Sequence, residues 1–82
     1  MKKRIAVLGA TGSIGKNSLE VISRDRDRFE VVLLSAHNDK DGLEKLKSVW
    51  PRSFCVLSGE AGGKEKLVHA IKDAGADITI NG

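Results

Sequence analysis

Eighty-two residues make at most one small domain, and a chain this short buries only about 60–65% of its unfolded surface. Hydrophobic residues are 40% and charged residues 30% of the chain, the composition of an ordinary globular protein. The net charge of +3 is mild and aromatics make up only 4%, which excludes a basic patch with base-stacking platforms, so no nucleic-acid partner is expected.

The chain opens on Met1-Lys2-Lys3-Arg4, but the apolar run behind these bases is too short for a secretory signal. No segment has the length of a membrane span, so no membrane partner is expected. Cys55 is the only cysteine, which excludes an intrachain disulfide and a C-x-x-C site. It lies in Phe54-Cys55-Val56-Leu57 and reads as a buried small hydrophobe. A reducing, cytoplasmic setting fits.

Four apolar runs predict strands over residues 5–8, 31–34, 54–57 and 78–80. They are continuous rather than alternating, as in strands covered on both faces. The first run leads into Gly9-Ala10-Thr11-Gly12-Ser13-Ile14-Gly15, and a helix is expected from about Ser13. Ile14, Ser18, Val21 and Ile22 would share its apolar face, with Leu19 nearby. The charged alternation Arg24-Asp25-Arg26-Asp27-Arg28 reads as a solvated loop. A second helix is expected after Asn38 or Asp39, either of which can cap it. Leu43, Leu46 and Trp50 would line its inner side, and Pro51 would stop it. A third helix is expected from about Lys64, with Leu67, Val68, Ile71 and Ala74 inward and Gly75 as its C-terminal cap.

The expected order is therefore β-α-β-α-β-α-β. Right-handed crossovers turn it into an α/β, Rossmann-like parallel sheet, about half of a doubly wound dinucleotide-binding domain. The last expected strand stands at the end of the chain with an open edge. On this reading residues 1–82 are the N-terminal part of such a domain, with catalytic and C-terminal domains elsewhere in a longer protein.

The seven-residue glycine segment is the chemical centre of the sequence. Its spacing is G-x-x-G-x-x-G, and its strand–turn–helix context is what makes it specific. A helix start offers unpaired N–H groups and a partial positive charge to a pyrophosphate. Glycines permit a tight turn, close backbone approach and helix–strand packing. A side chain at Gly12 would fill the space of that approach, and a positive φ there would add strain.

The second strand ends at Leu34-Ser35-Ala36-His37-Asn38. NAD-selective domains place a carboxylate at this tip for the ribose 2′-hydroxyl. Small and polar residues stand there instead, which favours NADP, with His37, Asn38 and Lys40 available to its 2′-phosphate. Asp39 opposes that phosphate unless it caps the second helix. Gly59-Glu60-Ala61-Gly62-Gly63 reads as a flexible turn at the same sheet edge. His69 reads as solvated. Trp50 reads as core or rim rather than as an adenine platform. No catalytic residue or metal-ligand spacing is found.

The run Ile5-Ala6-Val7-Leu8-Gly9-Ala10-Thr11-Gly12-Ser13-Ile14-Gly15, followed by Ser18-Leu19-Glu20-Val21, resembles the N-terminus of the 1-deoxy-D-xylulose 5-phosphate reductoisomerase family. Leu34-Ser35-Ala36-His37-Asn38, Trp50-Pro51-Arg52 and Ala76-Asp77-Ile78 resemble further pieces of it. The resemblance covers the whole chain. It implies a homodimeric enzyme of the methylerythritol phosphate route to isoprenoids, acting on a phosphosugar. Such an enzyme rearranges 1-deoxy-D-xylulose 5-phosphate and reduces the product with NADPH to 2-C-methyl-D-erythritol 4-phosphate. It also implies Mg²⁺ or Mn²⁺ held by residues outside this chain, and no activity for these 82 residues alone.

Carried over by position, the resemblance assigns Thr11, Gly12, Ser13 and Ile14 to the cofactor phosphates, and Gly9 and Gly15 complete the expected cofactor-binding turn. Ala36, His37 and Asn38 would surround the adenosine ribose phosphate. The family's Asn falls at Asn38 or at Asp39. Aspartate-semialdehyde dehydrogenases, extended short-chain dehydrogenases and a non-catalytic nucleotide module remain alternatives. The first of these usually has Val rather than Ser13-Ile14 after its turn, and lacks Ser-Leu-Glu-Val.

Overall fold

The computed structural model describes residues 2–82. Four strands and three helices alternate: β1 (Lys3–Leu8), α1 (Ser13–Ser23), β2 (Phe29–Ala36), α2 (Lys40–Val49), β3 (Phe54–Leu57), α3 (Gly63–Ala74) and β4 (Ile78–Asn81). All neighbouring strands are parallel, in the order β3-β2-β1-β4. The chain steps outward from β1 to β2 to β3, then crosses back to lay β4 on the other side of β1. Right-handed crossovers therefore put α1 and α2 on one face and α3 on the other. Ile5, Val7, Val31, Leu34 and Ala36 pack with Leu19, Ile22, Leu43 and Trp50 on the first face. Ala6, Leu33 and Val56 meet Ala70, Leu67 and Ala74 on the second.

The two-sided cover explains the unbroken apolar runs of the inner strands. It does not extend to the edges. Phe54 of β3 is 61% exposed, and Ile78 of β4 is 41% exposed. Cys55, expected to be buried, is half-buried for the same reason: β3 is an edge strand. The β1–β2 register shifts between Ile5, opposite Val31, and Ala6, opposite Leu33. The extra residue, Val32, lets Val31 and Leu34 face the same core despite three-residue spacing.

Two helices are rotated from the faces their periodicity suggests. In α1 the buried residues are Gly15, Leu19 and Ile22, while Ile14 and Val21 point outward at 61% and 64% exposure. The reason is close packing at the first turn. A Cβ on Gly15 would lie 2.5 Å from the Gly9 carbonyl oxygen and 2.7 Å from the Ala10 Cα, so Gly15 must face the strand. The same happens in α3. Gly63 and Ala70 are buried with Leu67 and Ala74 half-buried, whereas Val68 and Ile71 are exposed. Gly63 rests on the backbone of Leu57 and Ser58, where a side chain would collide.

The helix ends follow capping chemistry. Asp39 caps α2, its Oδ1 accepting the Gly42 N–H at 2.9 Å. Gly75 ends α3 in the left-handed region at φ +59°, and Gly62 precedes α3 at φ +74°. After α2, Ser53 donates its hydroxyl to the Trp50 carbonyl at 2.6 Å and closes the turn over Pro51. The charged stretch before β2 is not wholly solvated. Arg26 donates to the Val49 carbonyl at 3.1 Å and stacks over the Trp50 ring, 3.9 Å from its centroid. Trp50 is thus a core residue at the end of α2.

Candidate functional site

Between β1 and β4 the direction of winding reverses. In open α/β sheets the crevice at the carboxyl ends of the strands flanking that reversal is where ligands sit. The glycine turn occupies it. Gly9 leaves β1 at φ +69°, a conformation that favours glycine. The chain then closes a tight turn, the Gly12 N–H donating to the Gly9 carbonyl at 3.1 Å. Gly82 forms the wall on the β4 side: its N–H donates to the Leu8 carbonyl at 2.8 Å, and a Cβ on Gly9 would lie 2.9 Å from its oxygen.

The positive φ belongs to Gly9 and not to Gly12, which caps α1 in extended conformation at φ −79° and ψ 173°. A Cβ on Gly12 would meet only the Gly9 carbonyl, at 3.4 Å. Nothing in the backbone conformation at position 12 demands glycine.

The amides of the turn divide into two sets. Gly9, Ala10, Gly12 and Lys16 donate to protein acceptors. Among the described residues, the N–H groups of Thr11, Ser13, Ile14 and Gly15 find none, and of these four residues only Gly15 is buried. No side chain caps α1 either, and Gly12, Ser13 and Ile14 are exposed. The three that are not on a buried residue, those of Thr11, Ser13 and Ile14, form a cradle for an anion at an open helix start.

Ser35 was not singled out in the sequence, yet it holds this cradle. It is buried in β2, beside the turn. Its Oγ accepts the Gly9 N–H at 3.2 Å and its carbonyl accepts the Ala10 N–H at 2.7 Å. A lone serine inside an apolar strand was the available signal.

The tip of β2 stands at the same sheet edge. His37 and Asn38 are exposed, with Lys40 close by in sequence and also exposed. Ala36 is buried in the core beneath them. Asp39 has its carboxylate engaged at the start of α2. The second glycine cluster supports this tip. The Ser58 N–H donates to the Ala36 carbonyl at 2.9 Å and the Gly59 N–H to the His37 carbonyl at 2.6 Å. His69 is exposed on α3. Among the described residues no group of three His, Cys, Asp or Glu side chains could hold a metal ion. Among the described residues no helix is long and apolar enough to cross a membrane.

The sequence model of 1-deoxy-D-xylulose 5-phosphate reductoisomerase matches residues 5–82. The enzyme of that name from Halothermothrix orenii is 36% identical over 78 residues, covering 95% of this chain and 20% of the relative. The one from Heliobacterium modesticaldum is 40% identical over 81 residues, covering 98% of this chain and 20% of the relative. The solved Zymomonas mobilis reductoisomerase in complex with NADPH superposes with a TM-score of 0.69 at 26% identity, covering 99% of this chain and 21% of that one. A reductoisomerase in complex with NADPH, fosmidomycin and magnesium gives 0.66 at 28% identity, covering 98% and 19%. The chain spans about a fifth of the length of the curated relatives it matches. A match that runs unbroken from β1 to the end of the chain sets aside the semialdehyde and short-chain dehydrogenases, and the chain belongs to the 1-deoxy-D-xylulose 5-phosphate reductoisomerase family.

Proposed function

We propose that this chain is the NADPH-binding portion of an enzyme that rearranges and reduces 1-deoxy-D-xylulose 5-phosphate to 2-C-methyl-D-erythritol 4-phosphate. The observation that carries the reading is the set of unpaired amides at Thr11, Ser13 and Ile14, open at the winding reversal. They would take the cofactor's pyrophosphate, with Gly9, Gly12 and Gly15 allowing the backbone to close around it. His37 and Asn38 would face the adenosine ribose phosphate over the floor made by Ala36, with Lys40 adding charge. When bound, NADPH supplies the hydride. This chain's residues bind and orient it.

Residues 1–82 are on this reading the N-terminal part of the cofactor domain. The catalytic and C-terminal domains belong to the length of the relatives that the chain does not span. The reading extends to a cytoplasmic homodimer that takes a phosphosugar substrate. Its divalent metal would be held by residues outside this segment. Family membership supports these extensions, and magnesium is named in solved members.

The test is a titration of the full-length protein with NADPH and with NADH, followed by cofactor fluorescence, alongside turnover of deoxyxylulose phosphate. Tighter NADPH binding with turnover supports the reading. Equal or tighter NADH binding overturns the cofactor assignment, and absence of turnover overturns the activity.

A further inference from the structure

Ser35 is the one polar side chain among the buried residues of β1 and β2. Leu33 and Leu34 precede it, and both are fully buried. Nothing in strand pairing calls for a hydroxyl here, because β2 is already bonded to β1 and β3 through its backbone. Its use lies in the turn. Ser35 accepts two consecutive amides of the turn, Gly9 with its hydroxyl at 3.2 Å and Ala10 with its carbonyl at 2.7 Å.

We infer that Ser35 is a positioning residue for the cofactor's pyrophosphate. By holding the Gly9 N–H, its hydroxyl fixes the peptide that must adopt φ +69° for the turn to close. The Gly9 carbonyl is then held where it accepts the Gly12 N–H and packs against Gly15. Those two contacts fix the start of α1 and so aim the free amides of Thr11, Ser13 and Ile14. Without the hydroxyl, the Leu8–Gly9 peptide keeps only its carbonyl bond from the Gly82 N–H, and the Gly9 N–H loses its partner on the β2 side of the turn. Donors that are already placed bind an anion more tightly than donors that must be ordered on binding. The Ser35 hydroxyl acts on the cofactor only through Gly9.

The inference rests on the turn being the pyrophosphate site, so its test has one arm that does not. In the full-length protein, Ser35→Thr keeps the hydroxyl and Ser35→Val replaces it with a methyl of similar shape. The Thr variant is expected to keep NADPH affinity within about twofold. The Val variant is expected to lose roughly five- to tenfold, the factor set by one hydrogen bond of ordinary strength. The loss should appear in the KM for NADPH, with kcat and the KM for the sugar phosphate little changed. Equal NADPH affinity of the two variants overturns the inference. Should the larger side chains prevent folding, Ser35→Ala, which adds no volume, replaces Val in the same comparison with wild type. The independent arm is hydrogen exchange at the Gly9 amide, without cofactor. Faster exchange in Ser35→Ala, with the Val7 amide unchanged, supports the clamp. Unchanged exchange at Gly9 overturns it, whatever the turn binds.

Discussion

The carbonyl of His37 accepts the N–H of Gly59 at 2.6 Å, which ties the tip of β2 to the turn after β3. A Cβ on Gly59 would lie 2.5 Å from that oxygen and 3.2 Å from the His37 Cε1. The second glycine turn is therefore a strut beneath the tip, and glycine is required there for close approach rather than for flexibility.

Gly59→Ala should push the two segments apart and move His37. On the proposed reading, the 2′-phosphate contact suffers and the pyrophosphate contact does not. NADPH affinity should fall several-fold while NADH affinity changes little. Paired titrations of the full-length variant check this, and a parallel loss of both cofactors would locate the damage elsewhere.

Gly12→Val should block dinucleotide binding and leave the fold intact. Backbone strain does not forbid the change, since φ is −79°, and the new Cβ would meet only the Gly9 oxygen at 3.4 Å. Its side chain would stand where the phosphate must approach the amides. The expected outcome is a folded protein by circular dichroism with no measurable NADPH binding. Retained affinity in the folded variant would refute it.

Gly15→Val should do the opposite. Its side chain would be driven into the backbone of Gly9 and Ala10, and backbone cannot give way as a flexible side chain can. Overpacking of this kind typically costs about 1–3 kcal/mol. A lowered melting temperature is expected for Gly15→Val, with none of comparable size for Gly12→Val. The comparison between the two glycines is the sharper measurement, because they lie in the same turn.

The order of elements was legible because it depends on local signals. Unbroken apolar runs marked the strands, Asp39 and Gly75 marked helix ends, and Pro51 stopped α2 where expected. Helix rotation was not legible. Ile14 and Val21 carry the larger apolar side chains, yet Gly15 decides which side of α1 meets the sheet, through a contact that sequence periodicity cannot weigh. The half-exposed Cys55 escaped for a related reason, since a run of residues does not say that its strand is an edge. In the site, the turn was legible from its glycines. Ser35 and Gly59 were not, because their roles depend on partners 26 and 22 residues away.

This chain alone should turn over no deoxyxylulose phosphate. The described residues hold no metal cluster, and the proposed roles of the turn and the tip are binding ones. Turnover by the purified 82-residue chain, free of contaminating enzyme, would refute the assignment of catalysis to residues outside it.

Asp39 separates two effects that a single substitution would confuse. Its carboxylate caps α2 through the Gly42 N–H at 2.9 Å, and it also sets a negative charge one residue beyond Asn38 at the tip. Asp39→Asn keeps a cap of equal quality and removes the charge. Stability should be unchanged, and NADPH should bind a few-fold tighter, because its 2′-phosphate no longer meets a carboxylate nearby. NADH carries no such phosphate, so its affinity should stay level. Asp39→Ala removes the cap as well, which typically costs about 1 kcal/mol and should lower the melting temperature. The gain for NADPH in Asp39→Asn should shrink as salt rises, since the repulsion it removes is between exposed charges. Unaltered NADPH affinity in Asp39→Asn at low salt would mean that the cap already holds the carboxylate out of reach of the phosphate.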